Sequence, residues 1–281
     1  MTITVITVGL VLSVALVAAS AARFWWQHAT STLVERLRRL GASGAARSVD
    51  FSLLTSLPPP VARYLRLALE NRRSYVARAR LSERGRFRTA LHGPWHAMTA
   101  VEDFTTTPPG FVWNGSIRMA PAVDLDVCDA YVGGASTMRA AVLGAVPIGS
   151  YHDTPELNEG ELVRYLSECV WMPTRFLPGN GVTWRELTDT SAIASITDRD
   201  TTASLEFHFS PTGDVVSAVT TRGREDAGRF IPTPWIVQYG HAEEHGGMRV
   251  PAGGSACWMV DGKKEPYASL RIESAEYVPV V

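Results

Sequence analysis

The chain has 281 residues, of which 46% are hydrophobic and 20% charged, enough apolar material for one large domain or two small ones. Its 27 Lys and Arg against 28 Asp and Glu leave a formal net charge of -1, which excludes a strongly basic nucleic-acid surface and an acidic solvating tail. Cys128, Cys169 and Cys257 form no CxxC pair and no disulfide framework, and read as buried thiols.

In chain order, the first feature is Thr2 to Ala22, which carries no charged side chain and includes "VITVGLVLSVALVAA". At about 1.5 Å per residue a helix of this length matches the ~30 Å of a bilayer core. Trp25 and Trp26 follow where an interfacial aromatic belt would sit. The small residues Ala19 to Ala21 also fit a signal-peptidase site, but no Lys or Arg precedes the apolar run, which favours a retained anchor. Arg23, Arg36, Arg38 and Arg39 on the C-terminal flank place the large domain on the cytoplasmic side by the positive-inside rule. The expected organisation is a transmembrane anchor over residues 1–26, a juxtamembrane helix and linker over 27–56, and a β domain over 57–281. In the linker, Thr32 and Glu35 fit a capping box and Gly41 a helix stop. Leu33, Val34, Leu37 and Leu40 share one face, for packing or for the membrane surface.

Pro58 to Pro60 open a second helix, expected to run to Arg72, with Val61, Tyr64, Leu65 and Ala68 as its apolar stripe. From Tyr75 the hydrophobic period changes to two. Phe111, Trp113, Ile117 and Met119 fall on one face; so do Val123, Leu125, Val127 and Tyr131, and so do Leu205, Phe207 and Phe209. Turn signals such as "SPTGD" and "VDGKK" divide about ten to twelve strands, mostly antiparallel by connection length. One helix interrupts them, Leu157 to Trp171. Leu162, Tyr165, Leu166, Cys169 and Val170 form its apolar face, Glu161, Arg164 and Glu168 run beside it at i, i+3 and i+7, and Pro173 stops it. The fold class is mainly β, a curved antiparallel sheet or half-barrel covered by one or two helices.

Motifs with dedicated chemistry are sparse. "HAEEH", His241 to His245, matches the inverted zinc-protease pattern, but it leaves a strand and enters Gly246-Gly247, so the helical face that zinc ligation requires is missing. His92 and His96 flank "GPW" and read as a surface hairpin. Asp124 and Asp126 share the polar face of one strand, while Glu102 and Asp103 point to opposite faces. No P-loop, dinucleotide fingerprint or nucleophile elbow is present, so no metal or cofactor is expected.

"LPPPVARYLR", "PPGFVWNGSI", "NEGELVRYLSECVWMPTRFLP", "IPTPW" and "RVPAGGSACWMVDGKKEPYASLRIESAEY" resemble a bacterial family known only as a domain of unknown function, from Leu57 to Tyr277. Members often begin with a membrane segment, and the strand–helix–strand order is similar to LolA-like lipoprotein-carrier half-barrels, in which helices plug a curved sheet around an apolar ligand. The resemblance carries over no catalytic residues.

The eight tryptophans sharpen the functional expectation. Large aromatics on a concave sheet either fill the core, as in a structural or interaction domain, or line a ligand cavity with a few polar groups to orient the ligand. The candidate wall is Trp113, Tyr131, Trp235, Tyr239 and Trp258 from the sheet, with Tyr165, Glu168 and Trp171 from the helix. Glu168 faces either this space or Arg164. The expected partners are the bilayer and an apolar small molecule. The alternative function is a cyclase or isomerase of a hydrophobic natural product, acting by positioning in the same cavity.

Overall fold

Thirteen strands join in one antiparallel sheet whose two edges are linked by the helix between them in sequence. The computed structural model describes residues 2–41, 47–226 and 228–280, with the side chains of 2–12 and 15 outside the description. In chain order come α1 (Thr2–Leu40), α2 (Pro59–Ala68), β1 (Val76–Phe87), β2 (His96–Thr105), β3 (Gly110–Ala120), β4 (Val123–Tyr131), β5 (Ser136–Val142), β6 (Val146–His152) and α3 (Pro155–Glu168). Two short 3-10 turns, Cys169–Trp171 and Pro173–Phe176, lead to β7 (Val182–Thr188), β8 (Ser191–Asp198), β9 (Thr201–Phe209), β10 (Val215–Asp226) and β11 (Arg229–Tyr239). The chain ends with β12 (Ala242–His245), β13 (Met248–Pro251), β14 (Gly253–Val260) and β15 (Lys263–Pro279).

The sheet order is β6-β5-β4-β3-β2-β1-β15-β14-β11-β10-β9-β8-β7, with β12 and β13 as a separate hairpin. Two meanders are thus sewn together where β15 pairs with β1. The sheet curves into a half-barrel, and one bond measures how far. Tyr131 Oη on β4 donates to Asp198 Oδ2 on β8 at 2.9 Å. In a flat sheet those strands would stand about 43 Å apart at the usual spacing of ~4.8 Å per strand. α3 lies inside the curve and touches β9 and β10 from one limb and β3, β4 and β5 from the other.

α3 begins as its sequence dictates. Thr154 caps it, accepting the Leu157 amide at 3.2 Å, and Pro155 occupies the first turn. Leu162, Tyr165 and Leu166 are fully buried in a continuous apolar cluster shared with α2 and the concave face of the sheet. α2 ends at Ala68, four residues short of the expected boundary, with Leu69 as its cap.

α1 departs from the expectation of a separate juxtamembrane helix. It is one helix to Leu40, and Thr32 lies inside it, its hydroxyl donating to the His28 carbonyl at 2.9 Å instead of capping a new start. Nothing between Arg23 and Ser31 is Gly or Pro, so nothing breaks the helix there. Gly41 does end it, donating to the Leu37 carbonyl at 3.0 Å. Leu37 is buried on the convex side of the sheet against Val112, Cys128, Ala130 and Val132, with Leu33 and Val34 beside it. That face is therefore a packing face. Arg38 adds an ion pair to Asp103 at 2.8 Å. Among the described residues no helix is long and apolar enough to cross a membrane. Most of the uncharged run Thr2 to Ala22 lies outside the residues whose side chains are described.

Candidate functional site

Alternation along the strands brings a mixed set of side chains to the concave face. Register aligns Leu81, Glu102, Trp113 and Asp129 in one row across β1 to β4, and Glu83, Ala100, Gly115 and Val127 in the next. Trp113 folds over Gly115, where any Cβ would fall 2.1 Å from the indole ring. The small residue lets the ring lie flat, and its Nε1 then donates to Glu83 Oε2 at 3.0 Å.

The polar stripe of α3 faces these rows. Arg164 donates to Glu102 Oε1 at 3.1 Å, to Asp129 Oδ2 at 2.7 Å and to Glu168 Oε1 at 2.9 Å. Its guanidinium also sits over the rings of Phe111 and Trp113, at 4.9 and 5.2 Å. One arginine thus fastens the helix to two strands. The carboxyls outnumber it: Glu83, Glu102 and Glu161 are all below 5% exposed, and Glu83, Glu102, Asp129, Glu161 and Glu168 each keep one buried oxygen without a partner. Bare carboxylates in such a site are costly, and Glu102, Glu161 and Glu168 hold their protons more tightly than usual. Burial, with Glu168 beside it, holds the Glu102 carboxyl well above the usual carboxylate range. Burial pushes Glu168 up to about 7 against the opposing pull of Arg164. Burial and Asp129 push Glu161 up to about 8.

A second group continues the same face across β10, β11, β14 and β15. Trp235 and Trp258 are cross-strand partners with ring centroids 6.5 Å apart. Trp258 stacks on Tyr267 at 5.9 Å, and Phe87 meets Tyr267 edge-on at 5.8 Å. Trp235 Nε1 donates to Tyr267 Oη at 2.9 Å. Arg222 lies over both tryptophans, 5.1 Å from Trp235 and 5.8 Å from Trp258. Trp235 is buried, whereas Phe87, Trp258 and Tyr267 are half-buried, so the aromatic row emerges from the core toward solvent.

The eight candidates read from the sequence are therefore divided. Trp113 and Glu168 meet around Arg164; Trp235 and Trp258 meet around Arg222. Of the other four, Tyr131, Tyr165 and Trp171 sit in the buried cluster and half-buried Tyr239 packs against it, each with its polar atom tied: Tyr131 to Asp198, Tyr165 Oη to the Thr105 carbonyl at 3.0 Å, Trp171 Nε1 to the Pro251 carbonyl at 3.0 Å and Tyr239 Oη to the Ser167 carbonyl at 2.8 Å. Glu168 does turn toward Arg164. Sequence reasoning missed Glu83, Asp129, Arg222 and Tyr267 and left Glu102 without a role. The available signal was period: Glu83 and Glu102 occupy the apolar positions of their strands, in step with Leu81 and Phe104.

Two cavities, of about 130 and 260 Å³, lie elsewhere. One is lined by residues including Arg47, Tyr75, Thr174 and Arg175, the other by residues including Glu70, Glu243 and Arg249. "HAEEH" spans β12, a strand paired with β13 through Gly246-Gly247, and His241 meets Glu243 at 3.0 Å. Among the described residues no group of three or more His, Cys, Asp or Glu side chains is placed to hold a metal ion.

A helix laid across the concave face of an antiparallel half-barrel, over buried carboxyls and an aromatic row, defines the class of structure. The chain belongs to the family of unknown function DUF6920, whose model matches residues 55–277 and so spans the resemblance read from the motifs. Comparison with curated proteins finds no match. Among solved structures, the chain is similar to a LolA superfamily protein from Nitrosomonas europaea, at 8% identity over 79% of this chain and 93% of that one, with a TM-score of 0.40. It is also similar to a beta-barrel-like protein of the domain of unknown function DUF1849 from Brucella abortus, at 9% identity over 73% and 99% of the two chains, with a TM-score of 0.24.

Proposed function

We propose that this half-barrel binds an apolar small molecule on its concave face, beside α3. The observation that carries the reading is the row of Phe87, Tyr267 and Trp258, large rings left half-buried at the edge of the apolar core. The three rings touch one another and each keeps part of its surface exposed, which leaves an apolar strip for a ligand to cover. The interior behind them is filled by Trp113, Tyr165 and Trp235. The ligand therefore lies along this row, with α3 beside it, its polar stripe forming the helix side of the site. The N-terminal helix is the proposed single-pass anchor, with residues 57–281 on the cytoplasmic side. The uncharged run, the arginines after it and the exposed Val14, Leu16, Val17, Phe24 and Trp25 support that reading.

A second reading is favoured by one specific feature. Carboxyls with the values of Glu161 and Glu168 can hand over and recover a proton near neutral pH, beside aromatic rings that favour a developing positive charge. That suits an isomerase or cyclase of a hydrophobic substrate.

Native mass spectrometry of the full-length protein, released from nanodiscs of its own host's lipids, tests the binding reading. The expected result is one apolar small molecule retained per chain. Folded protein that carries none, and takes up no fluorescent fatty acid, would refute it. Conversion of the retained molecule on incubation would decide for the enzyme. A C-terminal reporter active only in the periplasm would overturn the orientation.

A further inference from the structure

Arg222 is a cation without a counter-ion. Among the described residues it donates no hydrogen bond and makes no ion pair, and its Nε is buried without a partner. Its position is built. Trp235 and Trp258 support the guanidinium from their faces, which leaves the N–H edges free in the plane of the group. On α3, Gly160 admits it: a Cβ there would lie 2.9 Å from Arg222 Nη2. Arg224 follows on the same face of β10, two residues nearer the end of the strand. Its side chain is 14% exposed, with one bond to Asp226 at 3.2 Å and an unpartnered Nε.

A half-buried guanidinium with free edges is costly unless something accepts its hydrogen bonds. The carboxyls around Arg164 already hold a cation and do not reach Arg222 as ion-pair partners. Glu161 lies near enough to feel its charge, but makes no hydrogen bond or ion pair to it and keeps its own Oε2 unpartnered. The free edges of Arg222 suit an anion, and the aromatic row beside it suits an apolar chain attached to that anion.

We propose that Arg222 holds the anionic head group, a carboxylate or a phosphate, of the apolar molecule bound along Trp258, Tyr267 and Phe87. This rests on the binding reading above and names the ligand class: an amphipathic anion, with its head at Arg222 beneath Gly160 and its chain running toward the open end. Arg224 supplies a second positive charge on the entry side. The planar fork of arginine accepts two oxygens of either group side by side.

The test uses full-length protein in nanodiscs and photoactivatable sixteen-carbon probes that differ only at the head: the acid, the monoalkyl phosphate and the neutral alcohol. Labelled peptides from α3, β10 and β14 are quantified by mass spectrometry against empty-disc controls. The acid or the phosphate should label these peptides at least about tenfold more than the alcohol, the worth of one charge-assisted hydrogen bond. Arg222→Gln should abolish that preference and Arg222→Lys should keep part of it. Whichever anionic probe prevails identifies the head group. Equal labelling by acid, phosphate and alcohol in the unaltered protein would overturn the assignment while the binding reading stands, and needs no variant to fold. Loss of labelling when millimolar inorganic phosphate is present during irradiation would also overturn it, since the site would then take a free anion. Absence of labelling by all three probes would bring down the binding reading and this one together.

Discussion

Replacing Arg164 with Met separates electrostatics from packing at the centre of the interior. Methionine keeps an unbranched stem of similar reach and loses three charge-assisted bonds, to Glu102, Asp129 and Glu168. At pH 8 the freed carboxyls must either ionise in a buried site or hold protons against the solvent. Removing one member of such a network costs about 3–5 kcal/mol. At pH 5 Glu102 and Glu168 keep their protons at little expense, and what remains is lost hydrogen bonding, about 0.5–1.5 kcal/mol per bond. The sign follows from the carboxyl values. Glu161 at about 8 and Glu168 at about 7 stand above their ordinary 4.5, as does Glu102, so the folded chain binds protons more tightly than the unfolded one. Their contribution to stability is fully present below 4.5 and is lost as pH rises through those values. Without Arg164 all three move further up and the loss steepens. Urea unfolding followed by tryptophan fluorescence and far-UV circular dichroism, at pH 5, 6.5 and 8, should show the penalty of Arg164→Met growing with pH. An equal penalty at pH 5 and pH 8, or one below about 1 kcal/mol at pH 8, would refute the account of α3 as a helix fastened by charge.

Glu161→Gln removes one of the raised carboxyls. In the unaltered protein it erodes stability by ~1.4 kcal/mol per pH unit between its ordinary and its folded value, so the variant should gain on the parent from pH 5 to pH 8.5 in the same unfolding assay; parallel curves would contradict this. Trp113→Ala should destabilise by roughly 3–5 kcal/mol, as a packed core site does, whereas Trp258→Ala should lose fatty-acid probe binding with a much smaller thermal shift; the reverse order would place the ligand elsewhere. All three cysteines are free and buried, with the Cys169 thiol pushed up to about 12 by burial, so native protein at pH 8 should resist a thiol reagent that labels it promptly in denaturant. Fast labelling of the native state would show that the α3 region opens readily.

Much of this architecture follows from local rules. Alternation assigned Phe111, Trp113, Leu125 and Tyr131 to the concave face, because period two fixes which way a strand residue points. The spacing of Leu162, Tyr165 and Leu166, with Pro173 as a stop, located the inner helix, and Gly41 located the end of the first one. The stripe Glu161, Arg164 and Glu168 was equally visible, because i, i+3 and i+7 share a side of any helix. What lies opposite that stripe was not visible. Glu83, Glu102, Asp129 and Arg222 come from four strands scattered over 140 positions, and only the strand order and the curvature of the sheet decide that all four face one helix. Strand faces and helix faces are set by neighbours a few residues away, whereas ion pairs and ligand sites are set by contacts between limbs of the sheet, which no local period encodes. The same physics explains the missed continuity of the first helix: a capping box describes a start only where the preceding residues cannot be helical, and Arg23 to Ser31 can.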